Sequence, residues 1–160
     1  PMSPRLVVVG LILLYGAAVL DVAFSRSSWL FGSRPDFVLA TSLSLALLSR
    51  PAGASVAGFL GGLLEGAMAG ANLTAYLISR VIGGLVMSAI PRLGITVNAA
   101  TGFLFGGLGT FLTKFILVLL APRPDLSSIL GSTIGSAIYN GVIASILCGV
   151  LGHLEKSSSR

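Results

Sequence analysis

At 160 residues, 54% of them hydrophobic and only 9% charged, the chain lacks the ~25% charged residues of an ordinary soluble domain and leaves little length outside a bilayer. Its +5 charge comes from basic residues scattered singly at segment ends and inside apolar runs, which excludes a nucleic-acid patch and points to membrane topology. One cysteine, Cys148, and one histidine, His153, exclude an internal disulfide, a CxxC site and a histidine metal cluster, and no motif calls for a cofactor. Both residues read as packing and tail positions.

Arg5 precedes an apolar run from Leu6 to Phe24 that is long enough to span once and has no small-residue cleavage site of a removed signal. Asp21 near its far end reads as interfacial, and Trp29 and Phe31 in the next loop suit the aromatic belt at headgroup level. Ser33-Arg34-Pro35-Asp36 then opens a second helix, over residues 33–49, with Ser33 as cap, Pro35 in the first turn and Asp36 three residues on as in a capping box, the plainer role of Asp36 being that of a helix cap. Its apolar run, Phe37 to Leu48, is short for a bilayer. This helix must lean on the turn before it, thin the membrane or hide its ends in protein.

Arg50-Pro51 breaks the chain before a third helix over 53–70, GASVAGFLGGLLEGAMAG, in which Ala54, Gly58, Gly62, Gly66 and Gly70 recur every fourth residue. Such a row lets a neighbouring backbone approach closely where lipid supplies no hydrophobic drive for association. A four-residue repeat drifts ~40° per step on a 3.6-residue helix, so the row is expected to cross one helix and finish on another. Glu65 lies beside it, an acid at hydrocarbon depth. The fourth helix, 72–90, carries Arg80 in the middle. Counting from the turn near Ala71, Glu65 and Arg80 differ in depth by only ~5 Å and their side chains lean toward each other, so an intramembrane ion pair is expected, with Lys114 as the competing partner.

The fifth helix, 95–121, carries a second row, Gly102, Gly106 and Thr110, leading to Lys114. Pro122 and Pro124 mark the next loop. A sixth helix over 127–151 holds Gly131, Gly135, Tyr139 and Asn140, and the polar tail from Glu155 is expected to fray. With six spans, Arg5, Arg50, Arg92, Lys156 and Arg160 fall on one side and Arg26, Arg34 and Arg123 on the other, which places both termini inside. The expected fold is all-α: a single polytopic domain of six transmembrane helices in a compact bundle with glycine-rich contacts.

From Ser33 to Ile90 three features stand in order: Pro35-Asp36 opening an apolar helix, then Arg50, then Gly58-Phe59 through Gly62-Leu63 to Glu65. This order resembles the MreD family, small integral membrane proteins of the bacterial rod-shape, or elongasome, machinery, whose familiar run is Pro-Asp, a basic residue and GFxxGLxxD. The chain length and six-helix layout are similar too. Two departures stand out: Glu65 occupies the usual aspartate position, and Gly70-Ala71-Asn72 replaces a Leu-Gly pair. The resemblance implies a non-enzymatic scaffold of the bacterial cytoplasmic (inner) membrane that binds MreC. Through it the scaffold would connect to the MreB filament, to RodA and to its penicillin-binding transpeptidase, in control of peptidoglycan synthesis and cell shape. The residues alone show no nucleophile with a base and no nucleotide loop, which fits a scaffold better than an enzyme. A second class fits the same composition: the substrate-binding subunit of an energy-coupling-factor vitamin transporter, also small, six-helical and glycine-rich, in which Glu65, Arg80 and Lys114 would line a solute pocket.

Overall fold

The computed structural model describes residues 4–24, 33–70, 72–122 and 126–158, with side chains over 7–24, 33–70, 72–122 and 131–153. The described chain forms six α-helices: α1 (Pro4–Ala23), α2 (Phe37–Leu47), α3 (Pro51–Ala69), α4 (Leu73–Ala89), α5 (Ala99–Leu120) and α6 (Leu126–Ser158), with a 3₁₀ turn at Ile90–Leu93. Four stretches are long and apolar enough to cross a membrane: Pro51–Ala69, Leu73–Leu93, Ala99–Leu120 and Gly131–His153. The described apolar part of α1, Val7–Ala23, and α2 are shorter. Trp29, Phe31, Arg26 and Arg123 lie outside the described residues.

α2 is the hub. Its sequence, FVLATSLSLAL, is apolar all round, the pattern of a helix enclosed by others, and every residue from Val38 to Leu47 is buried. α1, α3, α4, α5 and α6 all pack against it. Its two serines cost little there, because Ser42 Oγ donates to the Leu39 carbonyl and Ser44 Oγ to that of Ala40. Leu39, Leu43, Ala46 and Leu47 meet Ala54, Met87 and Cys148 in one core cluster, while Val38 and Leu45 meet Leu14, Ala17, Ala57 and Leu151 in another. At 11 residues and ~1.5 Å each, α2 covers ~16 Å, whereas the 19-residue α3 covers ~28 Å. Since Arg50-Pro51 joins the two at one end of the bundle, α2 stops well inside the other. Of the three options open to so short a helix, it hides its end in protein.

Two glycine rows draw the remaining helices into antiparallel pairs. A Cβ at Gly58 would stand 2.5 Å from the Arg80 carbonyl oxygen, one at Gly62 2.8 Å from Leu77 Cα, and one at Gly66 3.2 Å from Leu73 Cα, while Gly84 would meet the Ala54 carbonyl at 2.8 Å. The row therefore follows α4 from end to end, and the expected handover to a second helix does not occur. Four-residue ridges run obliquely, ~26° off the helix axis, so a neighbour inclined to match them tracks the whole row. Gly70 is the exception. A Cβ there meets nothing within 4 Å, and its φ of +66° makes it the left-handed C-cap of α3, whose N–H bonds the Gly66 carbonyl.

The row on α5 works the same way against α6. Gly102 approaches the Ala144 carbonyl and Cys148 Cβ, Gly106 approaches Ala144 Cβ and the Asn140 carbonyl, and from the other side Gly141 approaches the Phe103 carbonyl. Three boundaries differ from the expected ones. α2 begins at Phe37 instead of residue 33; α5 begins at Ala99, where Asn98 and Thr101 form a reciprocal capping box; and α6 continues to Ser158, through the stretch expected to fray. Gly62→Leu is expected to abolish a monodisperse detergent-solubilised species on size-exclusion chromatography, and Gly131→Leu, where a side chain meets nothing within 4 Å, to leave it intact. Equal behaviour of the two would rule out backbone contact at Gly62.

Candidate functional site

A helix that starts inside a bundle faces a problem at its first turn, where four N–H groups have no intrahelical acceptor. In hydrocarbon each such group left unpaired costs several kcal/mol. In α2 all four are paired by side chains. Asp36 N–H donates to Asn140 Oδ1 of α6 at 2.9 Å, Phe37 N–H to Asp21 Oδ1 of α1 at 2.8 Å, Val38 N–H to Asp21 Oδ2 at 3.0 Å, and Leu39 N–H to Asp36 Oδ1 at 3.1 Å. The next N–H, of Ala40, takes the Asp36 carbonyl and starts the helix proper. Two carboxylates thus lie at the positive end of the α2 dipole, where negative charge is stabilised.

This assigns roles that only partly match those read in the sequence. Asp21, two residues before the end of α1, is a bidentate cap supplied by α1 to another helix, a role its interfacial reading did not include. Asp36 takes the plainer of its two expected roles, the N-cap itself, and is not the third residue of a box begun by Ser33. The hydroxyl of Ser33 donates instead to the Ser132 carbonyl at 2.8 Å, and Pro35 precedes the helix. Extended backbone at 33–36 is tolerated at this depth because α6 covers its polar groups, Ser136 Oγ donating to the Arg34 carbonyl at 2.9 Å.

The second Asp36 oxygen carries the network onward. Oδ2 lies 3.9 Å from Arg80 Nη2 and 3.9 Å from Lys114 Nζ, ion-pair range without a direct hydrogen bond. Arg80 turns its Nε–Nη2 edge to Glu65: Nε donates to both carboxylate oxygens at 3.0 Å, and Nη2 donates to Oε2 as well. This is the side-on geometry of an arginine and carboxylate pair. Both residues are buried, Arg80 2% and Glu65 7% exposed, so neither charge could be left alone. Arg80 Nη1 has no hydrogen-bond partner among the described residues, and the guanidinium carbon stands 5.5 Å from the centre of the Tyr76 ring, whose face attracts the cation.

Lys114 does not compete for Glu65. Its Nζ donates to Ser136 Oγ at 2.7 Å and leans toward Asp36. Thr110, one turn earlier, accepts from Asn140 Nδ2 at 3.1 Å and donates to the Gly106 carbonyl at 2.8 Å, so Asn140 ties α5 to the start of α2. The row Gly102, Gly106, Thr110 and Lys114 thus faces α6 throughout, close-packed at its first half and hydrogen-bonded at its second.

Three of the chain's five acids therefore converge on α2, balanced by Arg80, Lys114 and the helix N-terminus. Among the described residues no three His, Cys, Asp or Glu side chains group as a metal site, and the carboxylates are engaged by backbone and cations. Sequence reading missed Asp21 and Asn140 as members of the cluster. The only signal for either was a polar side chain in an apolar helix. The chain matches no protein-family profile, no curated protein and no solved structure.

Removing either partner of the Glu65 and Arg80 pair leaves a buried charge uncompensated, at ~3–5 kcal/mol. Glu65→Gln and Arg80→Leu are each expected to destabilise the folded chain strongly in SDS unfolding titrations. The double variant is expected to fall short of the sum of the two by ~1 kcal/mol or more, and strict additivity would show the two side chains to be uncoupled.

Proposed function

We propose that the protein is a non-enzymatic scaffold of the MreD type, a six-pass protein of the bacterial cytoplasmic membrane that binds MreC and through it joins the peptidoglycan-elongation machinery. One observation carries the reading. The two halves of the resemblance, Pro35-Asp36 and the Gly58 to Glu65 run, are far apart in sequence, yet Asp36 and Glu65 both face Arg80. The two acids of the likeness thus share one cation, Arg80. The cluster is occupied with itself: its carboxylates cap a helix and neutralise cations, a task of holding shape.

Six passes follow if α1, 20 residues and ~30 Å long, and α2 with its extended lead-in are counted with the four long spans. Arg50 at the start of α3 and Arg92 after α4 then share one face, the face of Arg5 in an alternating bundle, which favours termini in the cytoplasm. A second reading, the solute-binding subunit of an energy-coupling-factor transporter, is favoured by one feature. The Asp36 and Lys114 side chains stay 18% and 22% exposed while Arg80 and Glu65 are sealed, so polar groups can be reached from one side.

Affinity purification from native membranes separates the two. Recovery of MreC and RodA is expected. Recovery of an ATPase with a membrane scaffold subunit instead, or failure of co-expressed MreC to co-purify in several mild detergents, would overturn the proposal.

A further inference from the structure

α3 and α4 close on each other along one glycine row and α5 and α6 along the other, and the two pairs meet chiefly across α2. Where α4 touches α5 directly, Gly83 packs on Thr113 and Gly109 on Met87, and Leu43 of α2 backs both contacts. α2 begins only at Phe37. Toward the face that carries the Gly70 turn and the end of α5, it is continued by the extended run 33–36, which the Ser33 and Ser136 hydroxyls hold against α6. The space between the pairs therefore widens toward that face. At its narrow end stand Asp36, Arg80, three residues outward of Gly83, and Lys114, the residue after Thr113.

These charged groups are not equally closed. The Arg80 and Glu65 side chains are 1% and 7% exposed, whereas those of Asp36 and Lys114 are 18% and 22% exposed. Lys114 lies six residues before Leu120, ~9 Å inside the end of α5, and its ammonium does not snorkel to the interface but is held by Ser136 and faces Asp36. An ion pair left open at that depth is tolerable facing water and costly facing acyl chains. The spacing points the same way. Asp36 Oδ2 stands 3.9 Å from both Arg80 Nη2 and Lys114 Nζ, too far for a hydrogen bond, yet a water about 2.8 Å from both ends of either gap makes an angle of about 90° at its oxygen, which hydrogen bonding allows. Charge narrows the occupant further. The cations call for an acceptor and the carboxylate oxygen for a donor; an anion is repelled by Asp36 and a metal cation by Arg80 and Lys114, while water accepts and donates at once.

We propose that a narrow crevice between the α3/α4 and α5/α6 pairs carries water from the Leu120 face of the bundle to Asp36 and Lys114, where ordered water bridges the carboxylate to its two cations. Arg80 and Glu65 form the closed floor of the crevice. Asp36 Oδ1 and the first-turn amides of α2, bonded to one another, to Asp21 and to Asn140, lie behind it and stay sealed. The crevice rests on α5 crossing the bilayer and on no reading of function or partner.

The test uses the full wild-type chain reconstituted in phosphatidylcholine, whose headgroup has no hydroxyl to stand in for water. In water-edited solid-state NMR, polarisation passes from mobile water to nearby protein sites. It is expected to reach the side chains of Asp36 and Lys114 about threefold or more faster than those of Leu43, buried in the core, and Phe115, next to Lys114 but 52% exposed on the lipid side. Build-up at Asp36 and Lys114 no faster than at these two overturns the proposal. In a Cys148→Ala background, Lys114→Cys is expected to react with a small membrane-impermeant methanethiosulfonate about tenfold or more faster than Phe115→Cys. Equal rates, whether both slow or both fast, overturn the crevice, and the wild-type spectra decide if Lys114→Cys fails to fold. Neither measurement depends on whether MreC is recovered.

Discussion

The first turn of α2 sets the terms for the rest of the bundle. Four backbone donors that open inside the bundle must be met, and lipid cannot meet them. The chain answers with side chains from three helices: Asp21 of α1, Asn140 of α6 and Asp36 at the helix start. Each answer creates a further demand. Two carboxylates in a desolvated space call for cations, which Arg80 and Lys114 supply, and an arginine as deeply buried as Arg80 calls for a carboxylate of its own, which is Glu65. The sequence of needs ends at Tyr76 and Ser136, groups that accept a cation without adding a charge.

The glycine rows make this closure possible. Side chains as short as aspartate, asparagine and threonine bridge helices only if the backbones come close, and the contacts at Gly58, Gly62, Gly102 and Gly106 leave no room for even a methyl group. Packing and polar network therefore depend on each other. Loosening either glycine row lengthens hydrogen bonds that lipid cannot replace, and breaking the network strands charges that close packing has sealed from water.

How much of this could be read beforehand follows from distance along the chain. Glu65 and Arg80 lie on helices joined by a tight turn, so counting ~1.5 Å per residue from that turn was enough to place them level. Asp21 and Asn140 reach α2 across 16 and 104 residues, and no periodicity in either helix says which neighbour it will meet. Asp36 was legible as a cap because a short polar residue before an apolar run is a local signal, but its exact station depended on backbone that only tertiary contacts hold extended. The glycine row was legible as a contact and misread as to its partner, because the drift assumed a straight parallel neighbour where an inclined one is available. Gly70 joined the row by spacing alone, although its place just past the last helical residue is the usual station of a left-handed cap.

Such an assembly suits a rigid part more than a moving one, since its polar groups are spent on one another. The central claim is that side chains of α1 and α6, with the cap residue Asp36, seal the start of α2, and hydrogen exchange reads that seal directly. First-turn amides of a helix ordinarily exchange fast, having no intrahelical acceptor. In the reconstituted protein the amides of Asp36, Phe37, Val38 and Leu39 are predicted to exchange as slowly as those in the middle of α2, and far more slowly than the first-turn amides Ala99 and Ala100 of α5. Exchange of the four at the rate of Ala99 and Ala100 would contradict the account.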